Sequence, residues 1–440
     1  MTTIPQVATA MQRVLTTVAD EAGRRSGFIQ RRRKLSGARF VQALVFSWWA
    51  NPEAVAEARA QAAAARGVAI GAYGLDKRCT EAAADCLRQV LAAAVETVVA
   101  SEPVLLPVLQ RFTAVALYDG AVLPLPDALR EEWPGCGGDA ASGAALKVGA
   151  RLDLLTGALH GPVLGAGRDH DRTLALGHTA LPPGGLRIAD LGFFDLRVPG
   201  ALGARGGYWL SRLLTGTALL SPAGARLEPL ALLRGRDEVD RPVPLGADAR
   251  PPARLLAVRV PQAVADERRR VLRAEARKRG QTVSATRLAL ADRTIAVTNV
   301  PAALLTRAEA LVLLRARWQI EQRFDLWKTH GHLARTRSGK PWRVLCAVYA
   351  KLLAVLLQHW VLLVGCWRHP DRSLVKAART VRQRALSLAD NFDDHAQLCR
   401  LLAIIRDCLA VGCRVEQRRQ HPGTAQQLRA LPPTPEAAMS

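Results

Sequence analysis

Residues 315–330 read RARWQIEQRFDLWKTH. Trp318, Ile320, Phe324 and Trp327 recur at helical spacing, which predicts an amphipathic helix. Its polar positions carry Arg315, Arg317, Arg323 and Lys328, and one acid, Glu321, stands among them with Asp325 close by. Arg317, Glu321 and Lys328 lie at i, i+4 and i+11. At about 100° per residue, the three fall within roughly 40° of one another on one face. A carboxylate flanked along its helix by cations suits a polyanionic strand. The plain alternative is a surface helix with Arg317–Glu321 and Glu321–Lys328 pairs, each worth a few tenths of a kcal/mol. The rest of the chain decides between them.

At 440 residues the chain is long enough for two or three domains, and its 49% hydrophobic content excludes general disorder. A formal charge of +23 attracts polyanions. Nucleic acid is the leading partner and an anionic membrane surface the second, against a bland Ala/Arg-rich composition. The eight cysteines, at 79, 86, 136, 346, 366, 399, 408 and 413, form no C-x-x-C and no zinc-finger spacing with His. They read as free, mostly buried thiols of a reducing cytosol. The N-terminus, MTTIPQVATAMQRV, lacks the pattern of a signal peptide. The longest apolar run, 344–366, has the length of a membrane span, but Lys351, Gln358 and His359 interrupt it. It reads as a buried core helix, so no membrane is expected.

Residues 1–110 read as helical, with one long helix over FVQALVFSWWANPEAVAEARAQAAAA, a loop at GAYGLD, and a second helix capped by Thr80. The basic run RRRK at 31–34 precedes the first helix and marks either a DNA-binding helical region or a solvated loop. From 111 the pattern becomes β. FTAVALYDG is a short run ending in Asp119-Gly120, and AALKVGARLDLLTGALHGPVLGAG is a hairpin about TG. DRTLALGHTAL fits a short helix, and LRIADLGFFD carries a strand ending in Asp190. Residues 205–301 hold short strands at YWLSRLL, LLSP, ARLLAVRV and RTIAVTNVP, with a basic helix, DERRRVLRAEARKRG, between the last two. Helices dominate afterwards, over 302–330, 342–367, 372–388 and 395–411, and a polar, Pro-rich tail follows from 420.

Asp119 and Asp190 at strand ends and Glu321 on a late helix form a set of three acids. Hard divalent ions such as Mg²⁺ take one or two carboxylates each, with water and phosphate oxygens completing the shell. Two such ions can activate a water and stabilise a leaving 3′ oxygen in an in-line phosphoryl transfer.

These residues resemble the IS4-type DDE transposases of bacterial insertion sequences. The resemblance rests on ALYDG at 116–120, IADLGFFD at 188–195, AVTNVP at 296–301 and RWQIEQRFDLWK at 317–328. It runs from about 40 to 365. That family's last motif reads Tyr, two residues, Arg, three residues, Glu, six residues, Lys. Here Arg317, Glu321 and Lys328 keep the spacing, and Leu314 stands at the Tyr position. About 130 residues separate the second acid from the third, room for an insert.

The resemblance implies an α/β, RNase H-like core of order β-β-β-α-β-α-β with a β-rich insert between the second and third acids. It divides the chain into a helical region 1–110, core 111–204, insert 205–301, core 302–367 and a helical C-terminal region 368–440. It implies that Asp119, Asp190 and Glu321 are the catalytic, metal-binding acids, holding two Mg²⁺ ions with Mn²⁺ able to substitute. Arg317 and Lys328 would contact terminal DNA, and Arg212 in YWLSRLL occupies a position that faces DNA in such enzymes. The partners are double-stranded DNA, as terminal inverted repeats and target, and a second copy in a homodimer. The place of work is the cytoplasm, at the nucleoid. Two alternatives are an RNase H-like nuclease that only hydrolyses and a DNA-binding descendant without catalysis. Asp169-His170-Asp171, with His178, reads as a helix N-terminus capped by Asp171 rather than a second metal site. RSGKP at 337–341 lacks the glycine and hydroxyl of a phosphate loop.

Overall fold

The computed structural model describes residues 3–432 except 32–34, 137–142, 179, 248–250, 334, 336–337, 370 and 416–421. Most of RRRK, part of RSGKP and the end of the tail therefore lie outside the described residues. Among the described residues ten strands form: β1 Val115–Leu125, β2 Ala144–Asp153, β3 Leu159–Ala166, β4 Leu186–Ala189, β5 Tyr208–Arg212, β6 Leu219–Leu220, β7 Arg226–Leu227, β8 Glu238–Pro244, β9 Pro252–Arg259 and β10 Arg293–Thr298. Eight make one mixed sheet in the order β3-β2-β1-β4-β5-β10-β9-β8, and β6 pairs with β7. The mixed α/β architecture with helical flanks matches the expected class. Between β3 and β4 the expected short helix is two 3₁₀ turns, Asp171–Thr173 and Ala175–His178.

The chain divides into two compact units. One comprises Met1–Leu105, Asp119–Leu176 and Gln319–His421, the other Leu106–Tyr118, Gly177–Trp318 and Pro422–Ser440. β1 passes from the second to the first between Tyr118 and Asp119.

In the second unit, β4 pairs in parallel with both β1 and β5. β10 then adds antiparallel to β5, and β9 and β8 continue antiparallel. β10, β9 and β8 thus extend the same sheet beyond β5. β8 was not legible in the sequence because Pro242 and Pro244 argue against a strand. At the sheet edge a missing N–H costs no ladder bond, and there prolines are tolerated. Trp209, Leu219, Val243, Leu245, Leu255 and Val297 fill one core. A second anchor is ionic. Arg111 donates to Glu309 through Nη2 at 2.9 Å, and both side chains are buried, 9% and 2% exposed. Glu309 also accepts from Thr306 N at 2.9 Å and so closes a capping box on the helix Arg307–Ala316.

In the first unit the helix Pro341–Gly365 is the axis, packed by Gly37–Ala50 and Glu81–Glu96. It is long and apolar enough to cross a membrane, and 94% of its most apolar window is buried inside the protein. Its polar interruptions are internal and partnered. Lys351 Nζ donates to the carbonyls of His332 at 2.9 Å and Arg335 at 2.7 Å. Gln358 accepts from Trp49 Nε1 at 3.1 Å. His359 Nε2 meets the Gly157 carbonyl at 2.8 Å. Thr80 caps its helix by accepting from Ala83 N, as expected.

Three local expectations fail. The long N-terminal helix is two, Gly37–Ala50 and Ala56–Ala65, because Pro52 disfavours helix at the residue before it. GAYGLD is not a loop but opens the short helix Ala72–Lys77. Half of the cysteines are buried, Cys86, Cys346, Cys366 and Cys413, while Cys136 is exposed.

Glu309 gives a stability prediction. Burial raises its pKa, but the Arg111 and Thr306 hydrogen bonds outweigh this and hold it below the usual carboxylate value. Its contribution is therefore full above the unfolded pKa of about 4.3 and is lost as pH falls through the lower folded value. Glu309→Ala leaves Arg111 buried without its acid and should cost about 3–5 kcal/mol in urea unfolding at pH 7. A loss under about 1 kcal/mol would mean the pair is not a buried anchor.

Candidate functional site

Local structure corrects the expected position of the first acid. Asp119 does not end a strand: β1 continues through Gly120 to Leu125. The half-buried Asp119 carboxylate accepts from Gly120 N at 2.9 Å. Next to it stands an ion pair that pattern reading missed. Lys147 on β2, with 10% side-chain exposure, pairs with Asp171 at 2.9 Å and donates to the Asp169 carbonyl at 2.5 Å. A Cβ built on Gly120 would lie 3.0 Å from Asp171 Oδ1. Asp171 is thus no helix cap: His170 holds the cap position of its 3₁₀ turn. Asp169 instead accepts from Ala166 N at 2.9 Å.

Asp190 follows β4 directly and stands at the N-cap position of the 3₁₀ turn Leu191–Phe193 without a side-chain capping bond, its side chain 41% exposed. Arg317, 11% exposed, brings Nη2 to 3.8 Å from Asp190 Oδ1. Beneath these strand ends Arg187 is buried, its guanidinium 4.6 Å from the centre of the Tyr118 ring. Burial lowers its pKa, against opposing effects of Tyr118 and Asp195.

The expected continuous helix over 302–330 is interrupted. It runs as Arg307–Ala316 and Trp318–Asp325, with Arg317 in the turn between, and ends in a π-helical turn, Leu326–His330. Arg317, Glu321 and Lys328 thus lie on three successive segments, at the C-cap of the first helix, within the second, and in the π-helical turn. The break has no local cause, since neither Gly nor Pro is present. Glu321 is half-buried and Lys328 exposed, while Ile320, Arg323, Phe324 and Trp327 are buried.

Arg212 ends β5 and is exposed. It lies within electrostatic reach of Arg268, whose pKa is lowered by burial and then by Arg212 and Arg315. Arg268 belongs to the basic helix Gln262–Lys278 and donates to the Arg293 carbonyl at 2.8 Å. The same helix pairs Arg269 with Asp266 and Arg270 with Glu267.

The structure brings Arg317 to Asp190 and sets Arg212 among like charges. Among the described residues no three His, Cys, Asp or Glu side chains stand close enough to hold a metal ion. The backbone register is informative at this point. The last parallel partners of β1 and β4 are Tyr118 and Ala189, and the residue after each in sequence is an aspartate: Asp119, still within β1, and Asp190, just past the end of β4.

Residues 110–357, more than half of the chain, match the family described as "Transposase DDE domain". The chain is 26% identical over 363 residues to the transposase for insertion sequence element IS231B of Bacillus thuringiensis subsp. berliner, covering 77% of this chain and 75% of that protein. It is 25% identical over 269 residues to the transposase for IS1151 of Clostridium perfringens, 56% of each chain. A third relative is the putative transposase InsL for IS186A of Escherichia coli strain K12, 31% identical over 151 residues, 32% of this chain and 41% of that one.

The contact at Gly120 makes a prediction. Gly120→Ala pushes against Asp171 and should destabilise by about 1 kcal/mol. A double-mutant cycle with Asp171→Ala should return a coupling of at least about 0.5 kcal/mol in urea unfolding. Additive effects would mean that the two residues do not touch.

Proposed function

The chain belongs to the transposase DDE domain family, and from that premise we propose that it cuts DNA at the terminal inverted repeats of an insertion sequence and joins the freed 3′-OH to target DNA. The family makes it an enzyme that acts on DNA and depends on divalent metal. The observation that carries the finer reading is the register of β1 and β4, which sets Asp119 and Asp190 directly after the paired residues of two parallel strands. Asp119, Asp190 and Glu321 are the proposed catalytic acids, and two Mg²⁺ ions, or Mn²⁺ in their place, the proposed cofactors.

In donor type the three carboxylates suit hard divalent ions, though among the described residues they are not gathered into one cluster. Each acid offers hard oxygens, and the exposure of Asp190 leaves room for water and phosphate oxygens. When bound, the metal pair supplies Lewis-acid charge at the attacking and leaving oxygens. The chain's own residues do the rest. Asp119 is oriented by its Gly120 N–H contact. Arg317 offsets the charge of Asp190 and presents a guanidinium to the incoming phosphate. Exposed Lys328 and Arg212 hold neighbouring phosphates, and the Arg268 helix adds positive potential beside Arg212. The helical region 1–110 is the proposed base-reading part, since a helix fits the major groove. Joining two ends calls for a homodimer on DNA, and the enzyme works in the cytoplasm at the nucleoid.

A second reading, a DNA-binding descendant without catalysis, is favoured by Leu314. It replaces the family's tyrosine with a buried apolar side chain, 6% exposed.

Cleavage of a labelled duplex carrying the DNA that flanks the gene separates the two. With Mg²⁺ the wild type should nick the element end. Glu321→Ala and Asp190→Asn should bind the duplex but cut at least ~100-fold more slowly. Binding without cutting by the wild type, in any divalent metal, would leave only the second reading.

Salt dependence tests the phosphate contacts. Lys328→Ala or Arg212→Ala should weaken binding equally across sequences and lower the slope of log K against log salt by about 0.9. An unchanged slope would remove that residue from the DNA-facing set.

A further inference from the structure

The buried stripe of the segment 318–330 holds one residue that a core does not favour. Ile320, Phe324 and Trp327 are apolar, but Arg323, in the same stripe, is 2% exposed. Among the described residues no carboxylate pairs with it. Its Nη1 lies 3.2 Å from His359 Nδ1. His359 Nε2 meets the Gly157 carbonyl, which only accepts, so Nε2 carries the proton and Nδ1 accepts from Arg323. The imidazole is neutral, its pKa pushed down to about 3 by burial and the Arg323 charge. The Trp367 ring lies 5.1 Å from the guanidinium carbon. Arg323 Nε and Nη2 remain buried without a hydrogen-bond partner.

Arg323 lines a cavity of about 10 Å³ together with Trp327, Gly331, Gln358, His359 and Arg382. Two of these are guanidinium groups, and no acid is among the lining residues. The volume is near the least that holds a single water, so a polyatomic anion such as phosphate does not fit, and a chloride, somewhat larger than water, fits once the lining side chains give by a few tenths of an ångström. A water would satisfy orphan donors but would leave the charge uncompensated. Buried charges are ordinarily paired because desolvation penalises the isolated ion heavily. A monoatomic anion meets both demands, since it accepts from several N–H groups and carries the opposite charge.

We propose that this cavity is a halide site, in which one chloride accepts from Arg323 Nε and Nη2 and fixes the buried side of the segment that carries Glu321 and Lys328. The site is independent of any catalytic role for those two residues.

Thermal unfolding of the full chain in sodium chloride and in sodium gluconate at equal ionic strength tests it. Chloride should raise Tm saturably, by about 2 °C or more, and Arg323→Met should lose the difference between the salts. Crystals grown with sodium bromide should show an anomalous peak beside Arg323. Superimposable melts in the two salts with no peak in the cavity would overturn the proposal and leave a water there. Both readouts use the wild type, so they stand even if Arg323→Met fails to fold. In that case Arg323→Lys, which keeps the charge but loses the planar fork, should weaken the chloride effect.

Discussion

The backbone positions of Asp119 and Asp190 depend on one register, the parallel pairing of Val115–Tyr118 with Leu186–Ala189 that directly precedes both. Parallel strands cannot be joined by a tight turn, so the intervening chain must return to the same edge before pairing. The hairpin of β2 and β3 and the two 3₁₀ turns are that return. Because side chains alternate along a strand, a slip of one residue would turn every side chain of the slipped strand to the opposite face of the sheet. The register is held by burial: Leu117, Tyr118, Leu186 and Ile188 are all fully enclosed, and exposing them would forfeit several kcal/mol of apolar burial, about 1.5–3 for each large side chain. The positions of two acids are thus a by-product of core packing.

The same economy governs the buried polar groups of the first unit. Lys351, Gln358 and His359 interrupt what would otherwise be an apolar helix, and each has a partner on another segment. Burial lowers the Lys351 pKa to about 8, with its ammonium kept by two carbonyls. These contacts bind the central helix to specific neighbours. An all-apolar helix of that length would pack with less discrimination, and a buried polar contact is satisfied in one arrangement only.

Much of this was legible in the sequence. Alternation gave the β2–β3 hairpin, Thr80 its cap, and the interrupted apolar run its place in the core. Asp119, Asp190 and Glu321 stand out in the sequence because each lies in a short pattern. What escaped lies where tertiary pairing overrides local preference. Gly120 and Pro124 look like turn residues, yet β1 runs through both, with the exposed Pro124 between buried Leu123 and Leu125. Helix 302–330 breaks at Arg317, which carries no breaker in its surroundings but pairs with Asp190, distant in sequence. Arg323 escaped because a charged residue inside an apolar stripe reads as polar surface, and only packing reveals it as core.

The distribution of charge shows how a chain of net charge +23 remains folded. In the second unit the acids sit beside arginines: Asp240 on Arg254, Asp237 on Arg259, Asp266 on Arg269, Glu267 on Arg270 and Glu238 on Arg307. Such surface pairs contribute little stability, about 0–1 kcal/mol each. Their larger effect is to neutralise cations locally, so that the excess positive charge concentrates where acids are lacking. Arg268 feels such an excess, since the charges of Arg212 and Arg315 lower its pKa further after burial has done so. A polyanion relieves that repulsion on binding and releases its own counterions as it does so. Contacts of this kind fix where a duplex lies and leave its sequence unread. Any reading of base sequence is a task for side chains that reach base edges, separate from the field that the arginines create.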